Sequence, residues 1–372
     1  MKNFFVATTF IGHLSVVHAF SAAGTHSRAS ANPWQLAMAN QPNVPSEVDV
    51  VIIGSGLAGL SCGALLSYCG KSTVVLESHD APGGAAHSWT RRGFHFESGP
   101  SLYSGFSTDR SPNPLKNIFQ IIEEDCEWIT YDRWGTVLPN GEKFAAKIGP
   151  EEFGDVLRRH GGPGAEEEFA ALMERMTPLS NAAQALTSMA LREDLGAILT
   201  LLKYPKELVD TLKQGQALNE PFGKIMEEMN IQNKFVRNWL DMLCFLLQGL
   251  PAGGTMNAVM AYMLADWYRP GVTLDFPKGG SGSIADALVR GVKKFGGDVC
   301  VNCHVDEIVV ENNRAVGIKL ASGQVVRARQ AVVSNADPYV TNNLLSKAKQ
   351  VGAIPPKAIE YIESLINTEE SS

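Results

Sequence analysis

The chain has 372 residues, of which 45% are hydrophobic and 19% charged, a composition typical of a globular protein with one large or two ordinary domains. The net charge of −7 argues against a nucleic-acid-binding surface, and no stripe of Lys and Arg would form one locally. A chain of this length builds its own hydrophobic core, so the six scattered cysteines do not indicate a disulfide framework.

Residues 1–46 are typical of a targeting presequence. After Lys2 comes an apolar segment that ends in small residues at Ala19, as in a cleavable signal peptide. From Ser21 to Ser46 the chain has Ser, Ala and Thr but no acidic residue, which is typical of a transit peptide. This tandem resembles the bipartite presequences of algae with secondary plastids. We therefore predict import into a plastid (chloroplast), with secretion as the alternative.

The next predicted elements are a strand, a glycine-rich turn, a helix and a second strand. Val50–Ile53 and Thr73–Leu76 are short and continuously apolar, as expected for parallel strands buried on both faces of a sheet. Between them, Leu57–Tyr68 has the apolar spacing of a helix, which ends at Gly70. This order is that of a nucleotide-binding βαβ unit.

A hairpin and a long helical block are predicted to interrupt the nucleotide-binding unit. Strands flank the turn at Asn140-Gly141, and residues 151–268 are mostly helical in pattern. Breaks in the helices are expected near Gly161, Pro178, Pro205, Pro221 and Pro251. Strand patterns return at Asp298–Val310, Ala315–Leu320, Val325–Ala328 and Ala331–Ser334.

The predicted fold is therefore α/β, with a discontinuous Rossmann-like domain that carries an inserted α+β substrate domain. The expected boundaries are 47–110 for the first part of the Rossmann-like domain, 111–270 for the insert, 271–345 for the second part and 346–372 for a helical tail.

The glycine-rich turn has the pattern G-x-G-x-x-G, formed by Gly54, Gly56 and Gly59. The first glycine permits a tight turn, the second lets the backbone approach a pyrophosphate, and the third packs the helix against the sheet. The start of the helix then offers free N–H groups to the phosphates. Glu77 follows the second strand, 18 residues after Gly59, where its carboxylate can accept hydrogen bonds from ribose hydroxyls. The sequence therefore predicts a dinucleotide site.

A second glycine pair, Gly83-Gly84, lies six to seven residues after Glu77. This pair resembles the second signature of glutathione-reductase-type FAD-binding domains in the flavin amine oxidase and carotenoid desaturase group, which implies FAD as the cofactor. An Arg often follows the two glycines in that group, whereas this chain has Ala85.

Two longer segments extend the resemblance. Arg91–Gly105 is similar to the segment that passes beside the flavin ring in carotenoid isomerases and their paralogues, and Phe276–Gly297 to the return into the FAD domain. The resemblance implies that the Val305 backbone bonds the adenine and that Val332–Asp337 borders the pyrophosphate. The cofactor-binding residues so implied are Gly54, Ser55, Gly56, Leu57, Ala58, Gly59, Glu77, Ser78, Gly83, Gly84, Ala85, Gly99, Pro100, Ser101 and Val305.

The resemblance to carotenoid isomerases and phytoene-desaturase-type flavoproteins implies an apolar polyene substrate, most simply a poly-cis carotene that is isomerised to trans. Desaturation or saturation of a carotenoid or retinol and a non-catalytic binding protein are the alternatives. Nine of the eleven methionines lie between Met173 and Met263, where flexible side chains would either line a polyene site or fill a helical core. An apolar edge of these helices would allow peripheral membrane association.

Candidate catalytic side chains are few. His95 and Glu97 are two residues apart, so on a strand they face the same side and could act as an acid–base pair. Alternatively, they fix the loop geometry through hydrogen bonds. Because a polyene offers no polar group to act on, the flavin would supply most of the chemistry.

Cys300-x-x-Cys303-His304 has the spacing of a c-type haem attachment site. One strand spanning Asp298–Val310 would place the two thiols on opposite faces, and no second C-x-x-C completes a zinc site. We therefore expect no haem and no metal.

Only 35 residues follow Asp337. The resembling family continues through a Gly-Asp motif whose helix faces the flavin ring, so we expect this chain to be a member truncated at the C-terminus.

Overall fold

The computed structural model describes residues 43–99, 102–107, 111, 113–138, 140–147, 149–189 and 213–367. The strands are β1 Glu47–Ile53, β2 Thr73–Leu76, β3 Ser88–Arg91, β4 Phe94–Glu97, β5 Tyr103–Ser104, β6 Trp128–Tyr131, β7 Arg133–Val137, β8 Lys143–Lys147, β9 Leu274–Pro277, β10 Asp298–Cys300, β11 Val305–Glu311, β12 Arg314–Leu320 and β13 Val325–Ser334. The helices are α1 Leu57–Tyr68, α2 Pro114–Ile122, α3 Pro150–Val156, α4 Ala165–Met189, α5 Phe222–Glu228, α6 Lys234–Gln248, α7 Asn257–Trp267, α8 Gly282–Lys294, α9 Pro338–Leu344, α10 Ser346–Gln350 and α11 Pro356–Asn367.

The central element is a six-stranded sheet with the strand order β10-β2-β1-β13-β12-β11. Strands β10, β2, β1 and β13 run parallel to one another, β12 pairs antiparallel with β13, and β11 pairs antiparallel with β12. Because β1 lies between two parallel strands, the turn that follows it and the ends of β2 and β13 meet at one edge of the sheet. This edge is where the glycine-rich turn lies.

Both faces of the sheet are covered. Alternate residues of β1 point to opposite faces, as the strand geometry requires: Ile52 packs with Leu60 of α1 and Leu288 of α8. Val51 lies on the other face, in an apolar cluster that also contains Ile362 of the C-terminal helix α11. The tail is helical, as predicted, and its apolar side chains complete the hydrophobic core on that face.

The insert has its own core, built mainly by α4, α6 and α7. Strands β5, β9 and β6 form a three-stranded sheet, and β7 pairs with β8 around the predicted Asn140-Gly141 turn. Four of the methionines in the helical block, Met176, Met226, Met260 and Met263, are at most 3% exposed and pack inside this core. These four methionines therefore fill a helical core, which is the second of the two roles expected for the methionines between Met173 and Met263.

The expected helix break at Pro178 is wrong. Helix α4 runs through it from Ala165 to Met189. Proline removes one backbone hydrogen bond, but Leu172, Met176 and Leu179 on the same helix are fully buried, and this packing outweighs the local cost. The breaks near Gly161, Pro221 and Pro251 are confirmed, whereas Pro205 lies outside the described residues.

The expected single strand from Asp298 to Val310 is also wrong. It is two strands, β10 and β11, separated by a turn in which Asn302 has a φ of 56°. In contrast, the two segments predicted between Val325 and Ser334 form one continuous strand, β13. Within the described part of the chain, no helix is both long enough and apolar enough to cross a membrane.

Candidate cofactor site

The glycine-rich turn links β1 to α1 at the carboxyl edge of the sheet. Gly54 has a φ of +91° and donates its N–H to Leu76 O at 2.8 Å, so the turn is fixed to the end of β2. A Cβ atom on Gly59 would lie well inside contact distance of the Gly54 carbonyl oxygen. The first and third glycines of the motif are therefore required by the fold itself, whether or not a ligand is bound.

The N-terminus of α1 is open for an anion. Gly56 is its N-cap, no side chain caps it, and its first turn contains no acidic residue. The first N–H groups of a helix have no partner within the helix, here those of Leu57, Ala58 and Gly59. Together with the positive end of the helix dipole, they are suited to bind phosphate oxygens.

Glu77 follows β2 and joins three parts of the site. Its Oε2 accepts hydrogen bonds from Ser55 N at 2.8 Å and Ser55 Oγ at 2.6 Å, and its Oε1 from His79 N at 2.9 Å and Ser78 Oγ at 3.4 Å. Burial alone would raise the pKa of Glu77, but these hydrogen bonds outweigh it and hold the pKa below the ordinary value of 4.5. The carboxylate is therefore ionised at neutral pH and can accept further hydrogen bonds from ribose hydroxyls.

The second glycine pair packs directly on the first motif. Gly83 donates its N–H to Ser55 O at 2.9 Å, and a Cβ atom on Gly84 would lie 3.1 Å from the Gly56 Cα. Gly83 and Gly84 have φ values of 119° and 58°, which glycine adopts without strain. The two motifs, 27 residues apart in the sequence from Gly56 to Gly83, thus form one backbone surface.

After the second glycine pair the chain reverses direction, so that Ser98 and Gly99 return beside Ala85. Ala85 lies in a short 3₁₀ turn, and its carbonyl accepts a hydrogen bond from Ser98 Oγ at 3.1 Å. A Cβ atom on Gly99 would lie 3.1 Å from the same oxygen. The predicted site residues Ala85 and Gly99 are therefore neighbours, whereas Pro100 and Ser101 lie outside the described residues.

Val305 is the first residue of β11, the edge strand of the sheet, and is 6% exposed. The turn before it is bound to Glu77, since Glu77 N donates to Cys300 O at 2.8 Å and Cys303 N donates to Glu77 O at 2.7 Å. This places the start of β11 close to Glu77. That the Val305 backbone bonds the adenine stays a prediction.

The expectation that Cys300 and Cys303 face opposite sides is wrong. Strand β10 ends at Cys300 and Cys303 lies in the following turn, so both side chains are buried in the same apolar cluster. Burial, with the nearby Cys303 and Asp298, raises the pKa of the Cys300 thiol to about 11, and burial raises that of Cys303. Both thiols are therefore protonated and poor ligands. The described residues contain no group of three or more His, Cys, Asp or Glu suited to a metal.

His95 and Glu97 lie together on β4, as predicted. His95 Nε2 is 3.7 Å from Glu97 Oε1 and 2.8 Å from the Gly279 carbonyl oxygen. Glu97 Oε2 accepts a hydrogen bond from Ser281 N at 2.8 Å, at the start of α8. Glu97 Oε1 is buried and has no hydrogen-bond partner in the described part of the chain. These contacts join β4 to α8, and a catalytic role for the pair stays a prediction.

Asn335, the first residue after β13, lies in the segment Val332–Asp337, which the resemblance implies to border the pyrophosphate. Its Nδ2 would lie 2.8 Å from a Cβ atom on Gly56 and 3.1 Å from one on Gly59. The position of Asn335 directly after a central strand also indicates a site residue, because residues that follow the central strands of a parallel sheet meet at the ligand-binding edge.

Together these residues fit an extended dinucleotide. A carboxylate for ribose, an open helix N-terminus for the diphosphate and a double glycine surface lie side by side. The family model for flavin containing amine oxidoreductases matches residues 57–369. The chain belongs to this family. Its cofactor is accordingly FAD.

The sequence is similar to several curated members of this family. It is 28% identical over 322 residues to a chloroplastic prolycopene isomerase from Daucus carota, covering 86% of this chain and 50% of the relative. It is 26% identical over 320 residues to a lycopene-forming phytoene desaturase from Pseudescherichia vulneris, covering 83% of this chain and 60% of the relative. The chain spans about half the length of the first relatives that it matches.

The fold is similar to that of solved oxidoreductases. An oxidoreductase from Methanosarcina mazei superposes with a TM-score of 0.58 at 18% identity, covering 86% of this chain and 65% of the other. This similarity confirms the predicted α/β architecture.

Proposed function

We propose that the protein is an FAD-dependent carotenoid-modifying enzyme that isomerises a poly-cis carotene to the trans form. The main support is the similarity to a prolycopene isomerase over 86% of this chain, combined with a glycine-rich turn, an uncapped helix N-terminus and the Glu77 carboxylate that lie together at one edge of the sheet. When bound, FAD supplies the redox chemistry that acts on the polyene.

The residues of this chain have binding and positioning roles in that proposal. Glu77 holds the ribose, the N-terminus of α1 neutralises the diphosphate, and the Gly83-Gly84 surface lets the cofactor lie against the backbone. The turn through Ala85, Ser98 and Gly99 then leads away from the diphosphate, along β3 and β4.

The first experiment is to express the full chain and record its visible spectrum with and without added FAD. Bound oxidised flavin is expected, because the uncapped N-terminus of α1 and the Glu77 carboxylate are suited to bind a dinucleotide. If no flavin binds after FAD is added, the protein is not an enzyme of this type, and the alternative of a non-catalytic protein gains support.

The second experiment distinguishes isomerisation from desaturation or saturation, which use the same cofactor. The flavin-loaded protein is incubated with a poly-cis carotene, without oxygen and with reduced flavin, and the products are separated by chromatography. Isomerisation gives a product of unchanged mass and double-bond number. A product that has gained or lost two hydrogens would instead support the desaturase or saturase alternative.

We also propose plastid import, supported by the composition of residues 1–46 and by the chloroplastic relatives. Fusing residues 1–46 to a fluorescent protein in an alga with secondary plastids tests this. Plastid fluorescence is expected. Secretion of the fusion would favour the alternative.

Peripheral membrane association is proposed through the end of α6. Phe245, Leu246 and Leu247 are 63%, 46% and 37% exposed. These three apolar residues have no charged residue directly before or after them in the sequence, as expected for a surface that contacts lipid. The full chain should sediment with phospholipid vesicles, and replacing the three residues by Ser should abolish this. Equal sedimentation of both proteins would contradict the proposal.

A further inference from the structure

The β3–β4 hairpin is bound to the rest of the fold by one of its two faces. Alternate residues of a strand point to opposite faces, and directly opposed residues of two paired strands share a face. Ser88 pairs with Glu97 and Thr90 pairs with His95, so these four side chains lie on one face. Three of them, Ser88, His95 and Glu97, bond the backbone of residues 279–282 at the start of α8.

The opposite face, here called the outward face of the hairpin, carries three exposed aromatic rings. Trp89 pairs with Phe96, and their rings are stacked with centroids 5.8 Å apart. The next pair on the same face is Arg91 with Phe94. Trp89, Phe94 and Phe96 are 41%, 70% and 43% exposed. A contiguous group of exposed rings marks a surface that contacts an apolar partner.

The tip of the hairpin adds positive charge to the outward face. The turn residues Arg92 and Gly93 have φ values of 53° and 80°, as in the type I′ turn of a two-residue hairpin loop, so the tip has a defined shape. Arg91 and Arg92 are exposed, and neither forms an ion pair within the described part of the chain. The acidic residue of the hairpin, Glu97, lies on the other face.

A lipid surface with anionic headgroups fits this combination of groups. Guanidinium groups attract the phosphates of such headgroups, and Trp and Phe rings are favoured at the boundary between headgroups and acyl chains. A protein partner fits less well, because a stable protein interface needs roughly 20–30 residues on each side. The outward face belongs to a hairpin of two 4-residue strands.

We propose that the outward face of the hairpin docks the protein on membranes that contain anionic lipids. Arg91 and Arg92 contact headgroup phosphates, and the rings of Trp89, Phe94 and Phe96 enter the boundary below them. This contact differs from the apolar one at the end of α6, because it depends on the charge of the lipid. It also does not depend on which reaction the protein catalyses.

The test is sedimentation of the full chain with vesicles of phosphatidylcholine, with or without phosphatidylglycerol. The wild type should bind the anionic vesicles more tightly, and salt should weaken this binding. In Arg91→Thr, Arg92→Asn, binding to anionic vesicles should fall about 10- to 30-fold, as expected for two arginines near an anionic surface, and binding to neutral vesicles should not change. Asn-Gly is the preferred sequence of a type I′ turn, so this variant keeps the hairpin.

The matched control for charge is Lys143→Thr, Lys357→Gln, which removes two positive charges at exposed positions outside the hairpin and should bind as the wild type does. Residues 1–46 are present in every variant and contribute equally. Equal binding of the wild type and the arginine variant to anionic vesicles would overturn the proposal and would leave the outward face to a protein partner.

Replacing a ring tests insertion. Phe94→Thr should lower binding to anionic vesicles about 10- to 100-fold, because an exposed aromatic side chain then no longer leaves water. Tyr361→Thr, which removes a ring that is 50% exposed on α11, is the control and should have no effect. A loss with the arginine variant but not with Phe94→Thr would mean attraction without insertion and would also overturn the proposed docking face.

A second measurement locates the contact. Of the tryptophans in the described part of the chain, Trp89 alone is exposed, so the fluorescence of the wild type should shift to shorter wavelength on anionic vesicles. Trp89→Phe keeps a ring and should still sediment, but should lose most of this shift. If the wild type sediments and its fluorescence does not shift, the proposal is wrong. Carotenoid products enter neither measurement, so failure here and failure of the proposed isomerisation are separate outcomes.

Discussion

At the scale of single residues, the candidate site depends on glycines, which have no side chain, and on one carboxylate. The side chains missing at Gly54, Gly59 and Gly84 let three backbone segments touch. Glu77 then bonds the turn after β1 through Ser55 and the loop after β2 through His79. These residues thus stabilise the fold, and they also form the surface at which we propose that the cofactor binds, so substitutions should affect both.

Gly59→Ala should destabilise the protein by roughly 1–3 kcal/mol even without cofactor, because its Cβ would collide with the Gly54 carbonyl. Gly215→Ala is the control: this residue lies in the short helix 213–218, with nothing within 4 Å of its added Cβ. It should instead gain about 0.5–1 kcal/mol. Urea unfolding of both variants measures this, and equal effects would contradict the steric argument.

Glu77 should make stability depend on pH in the acidic range. Its pKa is lower in the folded protein than the ordinary value of 4.5, so its contribution is fully present above that pH and is lost as the pH falls further. Glu77→Gln should therefore be less stable than the wild type near neutral pH, and the difference should shrink below about pH 4.5.

The measurement is the free energy of unfolding in urea at a series of pH values. Glu360→Gln, at an exposed position of α11, is the control and should follow the wild type throughout. A difference between Glu77→Gln and the wild type that does not change with pH would contradict the role of the charged carboxylate.

At the scale of elements, the β3–β4 hairpin holds the start of α8. Ser88 Oγ accepts a hydrogen bond from Gly282 N at 2.8 Å, and Glu97 Oε2 accepts one from Ser281 N. A carboxylate at a helix N-terminus is favourable both as an acceptor and as a charge. The hairpin therefore connects the segment after the second glycine pair to the start of α8.

Replacing Glu97 distinguishes capping from catalysis. Glu97→Ala should cost about 1 kcal/mol of stability, the usual cost of a lost cap, whereas Glu97→Gln keeps an acceptor oxygen and should cost less. Thermal or urea unfolding measures these losses. If Glu97 is only a cap, turnover by flavin-loaded Glu97→Gln should equal that of the wild type; loss of turnover with unchanged stability would support the catalytic alternative.

At the scale of the whole molecule, the central sheet is stable only because both of its faces are covered. Helices α1, α2 and α8 cover one face. The tail covers the other, and Leu344, Leu345 and Ile362 are at most 8% exposed. An uncovered face would leave a large apolar surface in water.

Deleting residues 338–372 should therefore give a protein that aggregates or unfolds without a cooperative transition, because the apolar cluster on that face would lose the buried side chains of the tail. Deleting 368–372 alone removes none of these buried side chains and should leave stability unchanged. Size-exclusion chromatography and urea unfolding test both. A monomeric, cooperatively folded 1–337 chain would contradict this view of the tail.

The sequence by itself determined the local elements whose reasons are local. Glycines in G-x-G-x-x-G, a carboxylate after the next strand and short apolar strands each dictate their own conformation, so β1, α1, β2 and Glu77 were predicted where they lie. The Asn140-Gly141 turn was predicted for the same reason.

What only the tertiary structure decided depends on contacts between distant segments. Packing keeps α4 helical through Pro178, and a turn bound to Glu77 divides β10 from β11 and buries Cys300 and Cys303 together. Asn335 meets Gly56 only because β13 lies beside β1, a pairing of residues about 280 positions apart. Sequence spacing carries no information on such neighbours, because parallel pairing across an insert is fixed by the fold of the whole sheet.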